Sequence, residues 1–560
     1  MVKVADFIAD FLFKKGITDI FMLSGGGAIH LDEAVAQHSG LREICIKNEA
    51  TGPMMAEAYA RIKNNFGVVY VTTGPGGANA VTGVVECFVD SSPVLIISGQ
   101  APINQTTRHA GIPNLRSFGI QELNIIEVVK PITKYATMVT KPESILYELE
   151  KAISIAKYGR PGPVWLDIPL DVQSAIIDEN KLYGYIHWES SGTLQENYDI
   201  INQKTLEIAD ALLNSKRPLI VAGQGIKNSG TIFELKELAD KINCPIMLSR
   251  LGLDCLPYSY DKNMGIGGLR GSMFNKRIMQ EADVILSVGT SLSVAFAGYD
   301  LSFFNSTAKI YMVDIDPAEI EKIRPRLTSA IISDAKSFLI SLINNLHSLQ
   351  AAHVKENESD WLDHCVAYKN TQSAKVFAKE QNPIDIYYLA KKVDELSSSG
   401  DIYVDDAGSI YYVAGQTLTF ENGTRELTSG AYASMGLAIP LSIGAAIADP
   451  SARILTMTGD GSLETNVQEL KTLSYYNLNV KLFVINNGGY ISMRDHGRCT
   501  EDEQNTMLNL RKVAAAYDMP YYLINDYRQF DTYVPEFINK RGPAFIEVIC
   551  DSNQKLILPL

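Results

Sequence analysis

Apolar positions along this chain follow two rhythms. Short uninterrupted runs, such as Val68 to Val71, Val94 to Ile97, Val284 to Val288 and Ile454 to Met457, alternate with stretches where apolar residues recur at helical steps, as Val4, Phe7, Ile8, Phe11 and Leu12 do. The first rhythm predicts strands buried on both faces, the second amphipathic helices. Three blocks emerge. Strands Ile20 to Leu23, Ile44 to Ile46, Val68 to Val71 and Val94 to Ile97 form the first; Leu219 to Ala222, Ile246 to Leu248, Val284 to Val288 and Ile310 to Asp314 the second; Ile402 to Val404, Ile454 to Met457 and Val480 to Ile485 the third. Regular strand-loop-helix alternation predicts an α/β chain of three doubly wound parallel-sheet domains, at 1–185, 200–346 and 383–560. A polar stretch, Ser190 to Tyr198, reads as a linker, and Ser348 to Gln381, polar and helical in pattern, as a connecting arm.

Composition adds limits. At 560 residues the chain is too long for one core. With 46% apolar and 20% charged residues it is ordinary for a soluble globular protein. The net charge of −14 is spread along the chain without a Lys/Arg block, so neither nucleic acid nor an anionic membrane is an expected partner. Seven scattered cysteines, never spaced C-x-x-C, fit reduced thiols in a cytoplasmic protein better than a disulfide framework or a zinc site. The N-terminal amphipathic pattern carries acidic residues and is not a signal peptide, and no apolar run would span a bilayer.

The most informative stretch runs from Thr458 to Tyr490. A buried strand turns at Gly459-Asp460-Gly461, a helix with Val467, Leu470 and Leu473 on one side follows, and a second buried strand ends on Asn486-Asn487. Both polar ends therefore lie at the carboxyl edge of a parallel sheet, where open α/β sheets bind ligands. Asp460 and Asn487 offer hard oxygen donors suited to Mg²⁺. The glycines let main-chain N–H groups approach a diphosphate. G-D-G alone is a tight turn; paired with Asn-Asn one βαβ unit later it is much more specific.

This pattern resembles the diphosphate-binding motif of thiamine-diphosphate (ThDP) enzymes. The resemblance implies Asp460, Asn487 and the main-chain carbonyl of Gly489 as Mg²⁺ ligands, with Gly459, Gly461, Ser462, Tyr490 and Ile491 against the cofactor. It places a catalytic carboxyl at Glu49, where a strand ends and a small-residue helix begins, to share a proton with the cofactor's aminopyrimidine ring. Asn79, in the loop Thr72 to Asn79, passes close to the same ring.

The whole-chain likeness is to acetolactate (acetohydroxyacid) synthases. Gln121, in F-G-I-Q-E, resembles their F-Q-E motif, whose Gln points at the reacting centre. Gly408, Ser409 and Ile410 match their cofactor-touching segment. Met435, 25 residues before Asp460 and read as part of a small-residue helix, matches the bulky apolar residue that bends ThDP. Gly26 stands where an acid would protonate the intermediate early, which favours carboligation over plain decarboxylation.

The chain departs from the likeness in two places. The synthases' FAD site uses a glycine loop, matched by Gly265 to Gly271, and an Arg/Asp-rich segment; here Gly289 to Tyr299 lacks both arginines and both aspartates. An FAD site and a purely structural central domain thus both stay open. Nine positions after Asn487 the synthases carry a Trp that selects the acceptor, and this chain has His496. Together with His30, Ser492 and Arg494, it would shape a more polar pocket.

The expected activity is ThDP- and Mg²⁺-dependent decarboxylation of a 2-keto acid, pyruvate in the simplest case, with transfer of the remaining unit to a second carbonyl. A keto-sugar acceptor and simple decarboxylation are the alternatives. The expected partners are small molecules and a second copy of the chain, in a homodimer or homotetramer with active sites at the subunit interface.

Overall fold

A computed structural model describes residues 1–186, 198–352, 360–372, 378–490 and 506–557. The three doubly wound parallel sheets expected from the sequence are present, each with six strands. The first comprises β1 (Asp19–Met22), β2 (Arg42–Cys45), β3 (Gly67–Val71), β4 (Val94–Gln100), β5 (Tyr135–Met138) and β6 (Val164–Pro169), in the order β2-β1-β3-β4-β6-β5. The central sheet comprises β7 (Pro218–Ala222), β8 (Ile246–Leu248), β9 (Asn263–Ile266), β10 (Val284–Val288), β11 (Lys309–Asp314) and β12 (Ser329–Ile332), in the order β9-β8-β7-β10-β11-β12. The last comprises β13 (Ile402–Asp405), β14 (Arg425–Leu427), β15 (Ile454–Gly459), β16 (Val480–Asn486), β17 (Tyr521–Ile524) and β18 (Ala544–Ile549), in the order β14-β13-β15-β16-β18-β17.

Renumbered within each sheet, the first and last share the order 2-1-3-4-6-5, while the centre has 3-2-1-4-5-6. The outer two sheets are thus copies of one topology. The central order is that of dinucleotide-binding folds, whose ligands sit where the winding reverses.

The outer sheets meet through two helices, α1 (Thr51–Lys63) and α4 (Ala438–Ala448), between which come α2 (Pro75–Val89) and α3 (Ser409–Thr417). Every residue of α4 is buried, so it has no polar face. A Cβ on Gly444 would lie 2.1 Å from the Met55 carbonyl oxygen, so glycine is what allows the two backbones to touch. One hydrophobic cluster consequently runs through both outer sheets.

The arm read from Ser348 to Gln381 contains a helix, Trp361–Gln372, that packs against the central sheet. Trp361, Leu362 and Cys365 are buried with Leu219 and Val221, and the Trp361 indole donates to the Pro218 carbonyl at 2.9 Å.

Candidate functional site

In the last sheet β15 pairs with β16 so that Gly459 faces Ile485, which sets Asp460 and Asn487 side by side just past the two strand ends. Asp460 Oδ2 accepts the N–H groups of Gly488 and Gly489, each at 3.0 Å, and Oδ1 accepts Gly461 N–H at 2.8 Å. Asp460 is 5% and Asn487 8% exposed. Gly489 has φ +101°, outside the range of other residues. A Cβ on Gly461 would lie 2.7 Å from the Tyr490 ring, so the turn and the second strand's exit close on one another. Ser462 is buried beside them.

The single helix expected after the turn is two. One spans Asp460–Thr465, Asn466 breaks it at φ −133° and ψ 30°, and another spans Leu470–Tyr475. So short a first helix adds little dipole; the oriented N–H groups and Asp460 dominate the field here.

Gly408 (φ +89°, ψ −151°) caps α3 (Ser409–Thr417) in a conformation reserved for glycine, and Ile410 is buried behind Ser409. Met435 departs from the expectation: it lies in the loop before α4, not in a helix. Gly436 at φ +79° and Ala433 at φ +56° prevent helix there. Asp406, which the sequence reading passed over, holds that loop, accepting Gly436 N–H (2.9 Å), Ala438 N–H (3.3 Å) and the Thr458 hydroxyl (2.8 Å). Burial pushes its carboxyl up to about 6. Met435 is 40% exposed.

In the first sheet Glu49, 7% exposed, follows β2 and precedes α1. Its Oε2 accepts the Asn79 amide at 3.0 Å, and Asn79 stands in the first turns of α2 (Pro75–Val89). Gln121 has φ +56°, and a Cβ on Gly74 would lie 2.0 Å from its carbonyl oxygen, so its backbone rests on that turn. Glu122 fixes the segment, accepting Thr107 N–H at 3.1 Å, its hydroxyl at 2.8 Å and Phe118 N–H at 3.1 Å. Gly27 N–H donates to Thr72 Oγ1 at 3.1 Å, which ties the glycine loop to the Thr72–Asn79 turn. A Cβ on Gly26 would meet open space. His30 faces Glu33 at 3.5 Å. Ile491, Ser492, Arg494 and His496 lie outside the described residues.

A buried glutamate that sequence reasoning missed joins the halves. Glu469 Oε1 accepts Lys47 N–H (2.8 Å), Asn48 N–H (3.1 Å) and the Thr51 hydroxyl (2.9 Å), bracketing Glu49. Burial raises its pKa. Its signal in the sequence was only a Glu inside an apolar helical pattern.

A cleft of about 730 Å³ opens where the winding of the central sheet reverses, between β7 and β10. Gly225 and Gly289 line it, with Thr290, Asp314 and Asp334 at the strand ends. Burial pushes Asp314 up to about 6. On one side Arg250 donates to both Asp405 oxygens at 2.7 and 2.9 Å and pairs with Glu426; on another Arg160 pairs with Asp316 (3.1 Å) and Glu319 (2.7 Å).

Sequence-family models match all three parts: the N-terminal TPP binding domain of thiamine pyrophosphate enzymes at residues 2–120, their central domain at 206–342 and their C-terminal TPP binding domain at 406–548. The chain belongs to the thiamine pyrophosphate enzyme family. It is 30% identical over 484 residues to the acetolactate synthase large subunit of Buchnera aphidicola subsp. Schizaphis graminum, covering 86% of this chain and 82% of the relative. It is 29% identical over 561 residues to acetolactate synthase isozyme 1 large subunit of Escherichia coli K12 (99% and 94% covered). Against the Lactococcus lactis large subunit it is 28% identical over 558 residues (98% and 92%). It is a thiamine-diphosphate-dependent enzyme of the acetolactate synthase type. No helix among the described residues is long and apolar enough to cross a membrane.

Proposed function

We propose that this enzyme is a Mg²⁺-dependent decarboxylating carboligase that takes pyruvate as donor. The observations carrying this reading are the closed Asp460–Asn487 corner in the last domain and the oriented Glu49 in the first. For the metal the donor set fits: a buried carboxylate and an amide oxygen at adjoining strand ends, with Gly489 held against Asp460 through its N–H. Asp460, Asn487 and Gly489 would hold Mg²⁺.

Bound ThDP supplies the carbon nucleophile and the electron sink that make loss of carbon dioxide and carbon–carbon bond formation feasible. The chain's residues do the rest. Glu49, fixed by Asn79, holds and shares the proton at the aminopyrimidine nitrogen. Met435, with Gly408, Ser409 and Ile410, would help hold the cofactor in its reactive shape. Gln121 orients the donor's carboxylate or carbonyl. Gly26 contributes no acid that would protonate the reacting carbon early, which would favour transfer to a second carbonyl over simple decarboxylation.

A second pyruvate is the simplest acceptor, giving acetolactate. His496 at the position of the synthases' selective Trp favours a second reading, in which a more polar carbonyl such as a keto-sugar accepts. We assign one site to the paired halves of two subunits in a homodimer or homotetramer. NMR of products from protein, ThDP, Mg²⁺ and pyruvate, run on the species resolved by sedimentation, tests all of this. Acetolactate supports the first reading; turnover only with added keto-sugar supports the second; acetaldehyde alone, or full activity in a monomer, would overturn the corresponding assignment.

The central cleft favours a nucleotide-containing group such as FAD, despite the missing arginines and aspartates. Its volume lies within the usual ligand range of about 300–1,000 Å³. It sits at the reversal of a dinucleotide-type sheet and is lined by Gly225, Gly289, Thr290 and Asp314. Purified protein is expected to show a flavin absorption band and to release the flavin on denaturation. A colourless protein that releases no nucleotide would leave the central domain a structural role.

A further inference from the structure

Helix α2 carries polar groups at both ends. In its first turns the Asn79 amide donates to Glu49. Two turns later Glu86 crosses to the last domain: its Oε2 accepts the Ser434 hydroxyl at 2.7 Å and lies 3.4 Å from Ser434 N–H. One residue past the helix, Asp90 Oδ2 accepts Gly430 N–H at 2.7 Å. Glu86 and Asp90 are both buried, next to Glu57, Arg61 and Cys87, with Tyr411 facing Asp90 from α3. Arg61 lies 3.4 Å from Glu57 and donates to the Thr428 carbonyl at 3.1 Å, while Ser92 donates to Glu57 at 2.9 Å. Among the described residues, Glu57 Oε2, Glu86 Oε1 and Asp90 Oδ1 are buried without a partner.

Three buried acids beside one arginine are not what stability alone selects; apolar residues would pack there at lower cost. What Glu86 and Asp90 do is grip the main chain of residues 429–436. That loop is strained at Ala433 (φ +56°), and it needs glycine at Gly436 (φ +79°), where a Cβ would lie 1.9 Å from Thr465 Oγ1. From the opposite side Thr465 Oγ1 donates to the Met435 carbonyl at 2.9 Å and Asn466 to the Gly436 carbonyl at 3.0 Å. Met435 thus has its backbone pinned from two domains and its side chain free.

We propose that Glu86 is a positioning residue for Met435: with Asp90, it locks the 429–436 loop across the domain boundary so that the Met435 side chain meets the bound cofactor at a single angle. The inference rests on the reading of Met435 as cofactor-facing. The same helix anchors Asn79, so one rigid strut holds the partner of Glu49 and, where each site is shared by two subunits, supports Met435 of the neighbouring site.

The test uses the full chain loaded with ThDP and Mg²⁺, reading exchange of the cofactor's C2 proton by quenched NMR alongside kcat and KM. Ser434→Ala and Glu86→Ala should each slow exchange and kcat by about tenfold, the scale of one hydrogen bond to a charged group, with KM for pyruvate changed less than about twofold. Glu86→Gln, which keeps an acceptor oxygen, should restore most of the loss. Adding Met435→Ala to Ser434→Ala should cost little beyond Met435→Ala alone. Unaltered exchange in Ser434→Ala, a half-buried site that folding should tolerate, would overturn the proposal. If Met435→Ala itself leaves exchange unchanged, the reading of Met435 falls and takes this inference with it. If Met435→Ala slows exchange while Ser434→Ala and Glu86→Ala do not, only the positioning role of Glu86 falls.

Discussion

Glu49→Gln should leave the protein folded and able to bind ThDP while turnover of pyruvate drops by about 10²–10⁴-fold, the range typical of removing an acid–base group. The amide keeps nearly the volume of the carboxyl, and its oxygen can still accept from Asn79, so the 3.0 Å contact that orients the side chain survives. What disappears is the capacity to hold and hand over a proton. The loss should fall on kcat, because positioning of cofactor and donor depends on other residues. Steady-state kinetics at saturating ThDP and Mg²⁺, with C2 proton exchange as a second readout, checks it. Turnover within about threefold of the parent, far below the acid–base range, would remove Glu49 from the chemistry.

Asp460→Ala should abolish the gain in thermal stability that ThDP and Mg²⁺ give the parent. A ligand at a thousand times its dissociation constant stabilises by about 4 kcal/mol, so the parent's shift is easily read by calorimetry. The variant loses the carboxylate proposed to hold the metal. It also loses the acceptor that aims the Gly488 and Gly489 N–H groups, and the buried Gly489 donor alone puts the cost at about 1–3 kcal/mol. Stripping divalent ions from the parent with a chelator should reproduce the lost shift without the loss of apo stability. The two effects separate on that comparison. An undiminished ThDP shift in the presence of chelator would mean that the diphosphate is held without a metal.

The sequence made strands and motifs legible where burial is complete on both faces. Val94 to Ile97 or Val284 to Val288 can only be interior strands, and the strand-turn-helix-strand spacing alone puts Asp460 and Asn487 at one edge. Less visible were strands at or near sheet edges. Arg425–Leu427, Tyr135–Met138 and Asn263–Ile266 are half polar or very short. Ala544–Ile549 is interrupted by Glu547, whose carboxylate takes the Asn486 amide and the Tyr521 hydroxyl.

The placement of Met435 was misread because S-G-A-Y-A-S-M-G-L-A-I-P is composed like a helix. The Asp406 carboxyl, some thirty residues away in sequence, holds the Gly436 and Ala438 N–H groups where the helix begins. Glu469 and Glu86 were passed over for a related reason. A lone acid in an apolar helical pattern reveals nothing until its distant partners, Lys47 to Thr51 for one and Ser434 for the other, are brought beside it.

The dry helix Ala438–Ala448 also sets a timetable for biosynthesis. Its counterpart, Thr51–Lys63, leaves the ribosome roughly 375 residues earlier, a wait of about 20–75 s at translation rates of about 5–20 residues per second. Throughout that interval the nascent amino-terminal third displays a greasy seam that nothing yet made can cover. Holdase chaperones would find their target there, and slowed translation of the final third would prolong the danger of aggregation.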